Sequence, residues 1–245
     1  MFSALRKIRN SLQKSSPTKK YLLYALGEIL LVMIGILLAL QVNNWNEWRL
    51  DRAKEVTVLK DLEGTIERNN ELMKNMLSLL DRIDDSKEIV LHALENRLPY
   101  SDSMNVHFHH SRRRGVATFN LNKDGYESFK NTGFHIITNE ALKDEIVYLF
   151  EVAIPDAENM AAWVREVGQA TRENINEFFY YARDRDVLIP IDYNLLIEDG
   201  RYASLLHEVG QTSGFLRPEI IECQQKSESV LLHIQDELRS RESIE

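Results

Sequence analysis

The sequence predicts an all-α protein with an N-terminal transmembrane helix, followed by a long amphipathic helix and an extracytoplasmic helical bundle. A run of 22 residues near the N-terminus carries a single charge. Apolar residues recur at helical spacing along most of the remaining chain. Only 10 Gly and 5 Pro occur among 245 residues, which argues against a β-sandwich rich in tight turns. A single Cys, Cys223, excludes an internal disulfide and is expected to be a small buried apolar residue.

Residues 1–20 are predicted to form a basic cytoplasmic tail, because they contain six basic groups and no acid. The whole chain carries a net charge of −8, so the other 225 residues carry −14, which argues against a nucleic-acid partner. Apolar residues of the tail recur at helical spacing, so it either lies on the anionic inner leaflet or is an unstructured basic flank. These apolar residues are Phe2, Leu5, Ile8 and Leu12.

Residues 21–42, YLLYALGEILLVMIGILLALQV, are predicted to span a membrane. As a helix, they rise roughly 33 Å, which is enough to cross a hydrocarbon layer of about 30 Å. Aromatic side chains mark the two ends of the run, where their polar atoms reach water at the two interfaces: Tyr21 and Tyr24 at its start, Trp45 and Trp48 just after its end. A buried core helix and a cleaved signal peptide are the alternatives. The signal-peptide cleavage site would be poor, with Leu37 two residues before Ala39.

The distribution of Lys and Arg predicts the orientation of this span. Six basic residues precede it, and four follow closely: Arg49, Arg52, Lys54 and Lys60. Because basic residues are retained on the cytoplasmic side, we expect the N-terminus inside and residues 43–245 outside. The predicted location is the inner (cytoplasmic) membrane, with the C-terminal domain in the periplasm and the lipid bilayer as one partner.

Residues 43–98 are predicted to form one long, stalk-like amphipathic helix that ends before Pro99. Apolar residues recur at heptad spacing from Leu59 to Leu94, in the pattern of a coiled coil. This seam packs either against later helices of the same chain or against another copy in a homo-oligomer. In the second case, Asn69 would set the register of the pair.

Residues 99–245 are predicted to form the remainder of the helical domain. Residues 99–124 lack helical periodicity, which indicates a loop or a short hairpin. Two helical turns are expected over 125–133 with Gly133 as the C-cap, then a helix capped by Asn139 and ended or kinked by Pro155. A long helix is expected from Asp156 to about Arg185 and a short one over 200–212. The last helix is expected from Pro218 to about Arg241.

Two blocks of sequence resemble an uncharacterised single-pass membrane family that is common in Bacteroidota and catalogued as a domain of unknown function. The first block is KYLLYALGEILLVMIGILLALQVNNWNE, from Lys20 to Glu47. The second and looser block is GYESFKNTGFHIITNEALKDEIVYLF, from Gly125 to Phe150, with Tyr126, Gly133, Asn139 and Leu142 in the family's order. The resemblance implies a membrane-anchored helical domain and implies no activity.

Glu28 is the most unusual residue of the predicted span. It is the eighth residue of the run, roughly 10 Å past its start at 1.5 Å per residue. A carboxylate at that depth is expected to be protonated, paired or close to the interface, with Tyr24 or another chain as the partner. The chain also resembles single-pass subunits of proton-driven motors in its layout: a short cytoplasmic tail, one acidic residue in the span and an outer domain. Gly35 and Ala39 form a small-xxx-small pair that permits close helix contact.

Three histidines, His107, His109 and His110, are the candidates for metal ligands. In a strand, the first two would lie on one face. No Cys lies nearby and the spacing matches no standard site, so a solvated loop is the competing interpretation. Arg112, Arg113 and Arg114 follow directly and are candidates for binding an anion or a lipid headgroup.

No catalytic motif is present, and no cofactor is indicated. The sequence predicts a membrane-anchored binding or scaffold protein that works through its helix faces, with a protein partner or a second copy. One alternative is an ion- or proton-linked membrane subunit that uses Glu28. The other is an enzyme whose site is assembled from dispersed residues.

Overall fold

The computed structural model of the chain describes residues 17–111, 119–181 and 187–242. Helices make up nearly all of these residues, and one short β-hairpin is the exception among them. The all-α class is therefore confirmed. The chain divides into two compact units, Met1–Lys54 and Glu55–Glu245. The arginines at 112–114 and residues 1–16 of the predicted basic tail lie outside the described residues. For residues 17–20 of the tail the backbone is described and the side chains are not.

Helix α1, Pro17–Glu95, contains both the predicted span and the predicted amphipathic helix. It begins at a proline, whose missing N–H is not needed in the first helical turn. The helix ends three residues before the predicted boundary. Arg97 takes the left-handed conformation (φ +49°), and the Leu98 amide donates to the carbonyl of Ala93 at 2.9 Å. This bond pattern is that of a Schellman C-cap, with Pro99 just beyond it.

The heptad seam of α1 is buried within the chain's second unit. Eight of its nine apolar members are at most 5% exposed: Leu59, Leu62, Ile66, Met73, Leu80, Ile83, Val90 and Leu94. They share one cluster with residues of later helices or lie in the smaller cluster near the end of α1, and the ninth member, Met76, is partly buried against the larger cluster. The first of the two alternatives for this seam, packing on the chain's own later helices, therefore describes the structure.

The segment predicted as a loop or hairpin is partly helical, so that prediction was wrong. A short 3-10 helix, Asp102–Met104, leads into helix α2, Asn105–Ser111. Phe108, His109 and Ser111 are all buried although they point in different directions around α2. Because the helix is covered on more than one side, its sequence lacks the one-sided apolar repeat by which amphipathic helices are recognised.

Helix α3, Asp124–Thr132, lies within one residue of its predicted position, and helix α4, Glu140–Tyr148, begins directly after its predicted cap. Gly133 ends α3 with φ +104°, a conformation that favours glycine, and a 3-10 turn follows at Phe134–Ile136. The Asn139 side chain caps α4 by accepting a hydrogen bond from the Leu142 amide at 3.2 Å. Both caps are therefore confirmed.

A π-helical turn, Leu149–Ala153, joins α4 to helix α5, Ile154–Asn176. The turn ends two residues before Pro155, which lacks a backbone donor, and the helical segment continues through this proline. Helix α5 ends nine residues before the predicted Arg185. Part of the remaining predicted helix instead forms the first strand of an antiparallel hairpin of β1, Phe179–Tyr181, and β2, Leu188–Pro190.

Helices α6, Tyr193–Asp199, and α7, Arg201–Glu242, complete the second unit. The two predicted helices over 200–212 and 218–241 form a single helix that continues through Pro218. Leu216 and Ile220, on either side of the proline, are fully buried. Burial of apolar side chains before and after Pro218 offsets the lost backbone hydrogen bond, which explains why the proline does not end the helix.

Candidate membrane-spanning segment and binding surfaces

The apolar part of α1 in the first unit is exposed all round. Its described large apolar side chains between Leu22 and Val42 are each at least 45% exposed. Among the described residues, α1 is the one helix long and apolar enough to cross a membrane. Side chains of this kind on every face of a helix are typical of contact with lipid and unusual for a surface in water.

Aromatic residues bound this exposed segment at both ends. Tyr21 and Tyr24 are 84% and 79% exposed, and Trp45 and Trp48 are similarly open. The guanidinium groups of Arg49 and Arg52 lie 5.8 Å and 6.0 Å from the two indole rings. An amphipathic ring next to a cation suits a headgroup layer, because the ring contacts acyl chains while the charge stays hydrated.

Glu28 projects from this apolar segment. No described side chain or backbone group hydrogen-bonds to its carboxyl group or forms an ion pair with it, so the expected bond to Tyr24 is not present among the described residues. Gly35 and Ala39 lie on the same side of the helix. A Cβ built on Gly35 meets nothing within 4 Å, which leaves its backbone open to the close approach of another helix.

The three histidines lie on helix α2, so the strand arrangement that would align His107 with His109 does not occur. Residues two apart on a helix point in nearly opposite directions. The His107 ring instead lies 3.2 Å from the Ser86 hydroxyl, while His109 is buried and its ring meets the edge of His110. The described residues contain no group of three side chains suited to holding a metal ion.

Asn69 is buried and holds the irregular segment before α3. Its side-chain amide donates to the carbonyl of Asn122 at 2.8 Å, and its side-chain oxygen accepts from the amide of the same residue at 2.8 Å. Glu158 on α5 binds the neighbouring residues, accepting from the Leu121 amide and from the Lys123 ammonium group, both at 2.8 Å. The seam asparagine therefore pairs with the backbone of its own chain, and no second copy is needed to satisfy it.

The second block of the family resemblance begins where α3 lies directly on α1. The Gly125 amide donates to the Thr65 hydroxyl at 3.1 Å, and a Cβ at this glycine would meet the Asp61 carbonyl oxygen at 2.5 Å. The Tyr126 ring stacks on Phe150 at 4.7 Å, and burial raises the pKa of its hydroxyl. The Gly-Tyr pair is therefore explained by close helix packing.

A buried ion pair links the two ends of the second unit's sequence. The Glu55 carboxylate is fully buried, accepts from the Thr138 amide at 2.8 Å and binds the Arg241 guanidinium. Arg241 also pairs with Glu237, whose carboxylate accepts from Asn139 at 2.9 Å. Helix α1, the cap of α4 and the end of α7 are therefore fixed to one another at this point.

An open groove of about 450 Å³ lies where α1 ends, beside the hairpin and α6. Apolar and aromatic residues line most of it: Leu98, Tyr100, Ile189, Pro190, Tyr193 and Ile197. The Tyr100 and Tyr193 rings lie 5.4 Å apart, and the Tyr193 hydroxyl donates to the Leu98 carbonyl at 3.1 Å. We call this surface the tyrosine groove.

Exposed apolar side chains adjoin the tyrosine groove in the chain. Tyr180, Ile191 and Leu195 are between 47% and 62% exposed. A second exposed aromatic pair, Trp163 and Phe215, lies in another shallow depression between α5 and α7. Sequence reasoning identified neither surface, because each combines aromatic residues that are far apart in the chain and follow no local spacing.

Cys223 is buried, as expected, and burial raises the pKa of its thiol to about 12. A thiol in this state is a poor nucleophile and a poor metal ligand at neutral pH.

Comparison of the chain with family models, curated proteins and solved structures finds no match.

Proposed function

We propose that this chain is a single-pass membrane protein that holds a helical bundle at the membrane surface, where the bundle binds a protein partner. One observation carries the proposal. The apolar segment of α1 is at least 45% exposed at every described large apolar side chain between Leu22 and Val42. Exposure of so much apolar surface to water would be unfavourable, and contact with lipid removes that cost. The aromatic residues at both ends suit the two membrane interfaces.

The proposed orientation places the N-terminus in the cytoplasm and the bundle in the periplasm, with the span in the inner membrane. The greater number of basic residues before the span supports this orientation. Membership in the Bacteroidota family is likewise proposed, on the two blocks of resemblance at 20–47 and 125–150.

A protein is the proposed partner of the bundle because the tyrosine groove is open and most of the residues that line it are apolar or aromatic. Small-molecule sites enclose most of their ligand, whereas this groove opens widely and is flanked by exposed apolar side chains. Tyrosine is enriched at protein interfaces, since it supplies a large contact area together with a polar atom. Tyr100, Tyr193 and Leu195 are the residues through which we expect contact.

Membrane insertion and orientation are tested on the full chain in bacterial cells. We expect the protein to stay in the membrane pellet after alkaline carbonate extraction and to dissolve in detergent. In spheroplasts, added protease should remove the bundle while leaving a cytoplasmic control protein intact. Extraction by carbonate would contradict the anchor. Protection of the bundle in intact spheroplasts would contradict the orientation alone.

Partner binding is tested with a photo-crosslinking amino acid at Leu195, beside the tyrosine groove. The matched control is Leu232 on α7, which is 59% exposed and lies outside the groove lining. We expect a crosslinked adduct with a different protein from position 195 and none from position 232. The same adduct from both positions, or none from either, would contradict the assignment of the groove.

A second candidate function, an ion- or proton-linked subunit, is favoured by Glu28 alone. Its carboxyl group lies in the apolar segment without a described partner, and intramembrane acids often mark ion pathways. Glu28→Gln removes the titratable proton but keeps a polar group of similar size. Loss of a membrane-potential-dependent phenotype in this variant, with normal protein level, would favour the ion-linked role over the binding role.

A further inference from the structure

Most of the short and polar residues of the exposed α1 segment fall on a single line along the helix. A heptad repeat drawn through Glu28 and Gly35 places seven residues at its two seam positions. These residues are Ala25, Glu28, Val32, Gly35, Ala39, Val42 and Asn46. The repeat continues for three heptads, and all of its members are exposed.

The rest of the segment has a different composition. Every Ala and every Val between residues 21 and 42 is on the line, together with Gly35. The remaining positions are Leu, Ile, Met and Tyr, apart from Gly27 and Gln41. In a membrane, small residues allow helix backbones to approach each other, whereas long apolar side chains face lipid equally well. This segregation therefore marks one face for contact with another helix and leaves the others for lipid.

Glu28 determines which helix fits this face. In its neutral form, a carboxylic acid has both a donor and an acceptor, so two such groups can satisfy each other. Copies of one chain insert with the same orientation, and Glu28 therefore lies at the same depth in each copy. No described group of the chain's own bonds to this carboxyl, and hydrocarbon offers none.

We propose that the α1 segment pairs in parallel with the same segment of a second copy, along the line from Ala25 to Asn46. In this pair Gly35 and Ala39 bring the backbones together, and the two Glu28 side chains hydrogen-bond to each other. The inference rests on the proposed membrane anchor. The pairing involves the first unit only, and the seam from Leu59 to Leu94 remains covered by the chain's own helices.

Disulfide crosslinking of the full chain in native membranes tests the contact face. Single cysteines replace Val32 or Ala39 on the line, and Leu30 or Leu37 on the opposite side, in a Cys223→Ala background. We expect oxidation to give a disulfide-linked dimer at positions 32 and 39, with only background at 30 and 37. Equal crosslinking at all four positions, or none at any of them, would overturn the proposal.

Paired variants test the roles of the individual residues by energy transfer between labelled full-length chains in lipid vesicles. Gly35→Ile should abolish association, whereas Gly27→Ile should leave it unchanged, and a Cβ built on either glycine meets nothing within 4 Å. Glu28→Leu should weaken association by about 3- to 30-fold, with Glu28→Gln close to wild type, because an amide is also self-complementary.

Full association of Glu28→Leu would overturn the role of the carboxyl group. Equal effects of the two glycine variants would overturn the assigned face. Carbonate extraction of the same membranes distinguishes failure of the proposed pairing from failure of the proposed membrane anchor. A chain that stays in the pellet but does not associate leaves the anchor standing and refutes the pair, whereas a chain that washes off refutes both.

Discussion

Asn69 makes two hydrogen bonds to the backbone of Asn122, in a part of the chain that has no helical periodicity. Asn69→Leu would leave the backbone N–H and C=O of Asn122, which are partly buried, without their hydrogen-bond partner. We expect the free energy of unfolding to fall by about 2 kcal/mol. The measurement is urea denaturation of the full chain in detergent, followed by circular dichroism. Asn75→Leu, an exposed site on the same helix, is the control and should change stability by less than about 0.5 kcal/mol.

Asp84 makes stability depend on acid pH. Burial alone would raise its pKa, but the hydrogen bonds and charges of Lys87 and Arg217 hold the pKa below the ordinary value of 3.8. Because the folded chain binds this proton less readily than the unfolded chain, the stabilisation is complete above about pH 3.8. It is lost as the pH falls through the folded value.

Asp84→Asn should therefore cost stability at pH 7 and converge with wild type at low pH. The pair is about one-third exposed, so we expect a difference of only about 0.5 kcal/mol or less. Urea midpoints of the full chain between pH 7 and pH 3 measure it. The same change at the neighbouring exposed Asp85 is the control. A difference that persists unchanged at pH 3 would rule out the ion pair as its cause.

At the scale of elements, the contact between α3 and α1 depends on Gly125. A Cβ at this position would lie 2.5 Å from the Asp61 carbonyl oxygen, which belongs to a helix backbone and cannot move freely. We expect Gly125→Ala to lower the free energy of unfolding by about 1–3 kcal/mol. Gly64→Ala, on α1 itself, meets only the end of the Arg68 side chain at 3.5 Å and should stabilise the chain by about 0.5–1 kcal/mol.

Opposite signs for the same chemical change within one protein would identify packing, and not helix propensity, as the cause at Gly125. Thermal unfolding of both variants in detergent measures the two effects together. A stabilising effect at Gly125 would mean that α3 does not lie on α1 as described.

Elements whose causes are local in the sequence were predictable. Asn139 and Gly133 act on the next or preceding turn, and the seam of α1 repeats every few residues, so all three were found from spacing. Elements that depend on tertiary contacts were not. Helix α2 is buried on several sides, and α7 continues through Pro218 because buried apolar residues lie on both sides of it.

At the scale of the whole molecule, the sequence predicted only those candidate functional surfaces whose residues are close together in the chain. The apolar segment and its aromatic ends are contiguous in the chain, so they were identified in advance. The tyrosine groove joins the end of α1 to residues almost one hundred positions later, and no spacing rule connects Tyr100 with Tyr193. The histidines were noticed because they are neighbours in sequence, yet the helix directs His107 away from His109.

Both units of the chain expose apolar residues, and one matched pair of variants tests whether those of the first unit lie in lipid. Ile34 in the first unit is 51% exposed and Ile89 in the second is 45% exposed. If the first unit lies in lipid, Ile34→Lys places a charge in hydrocarbon at a cost of about 2.5–3.5 kcal/mol. The same change at Ile89 places a charge in water and should cost almost nothing.

We therefore expect Ile34→Lys to lower the fraction of the chain that resists carbonate extraction, while Ile89→Lys behaves like wild type. Immunoblots of pellet and supernatant measure that fraction, and circular dichroism of the detergent-purified variants shows whether the bundle is still folded. If both variants remained in the pellet to the same extent, Ile34 would be exposed to water in the same way as Ile89. The first unit would then not span the membrane. If only Ile34→Lys is released while its bundle stays folded, the anchor is a property of the first unit alone.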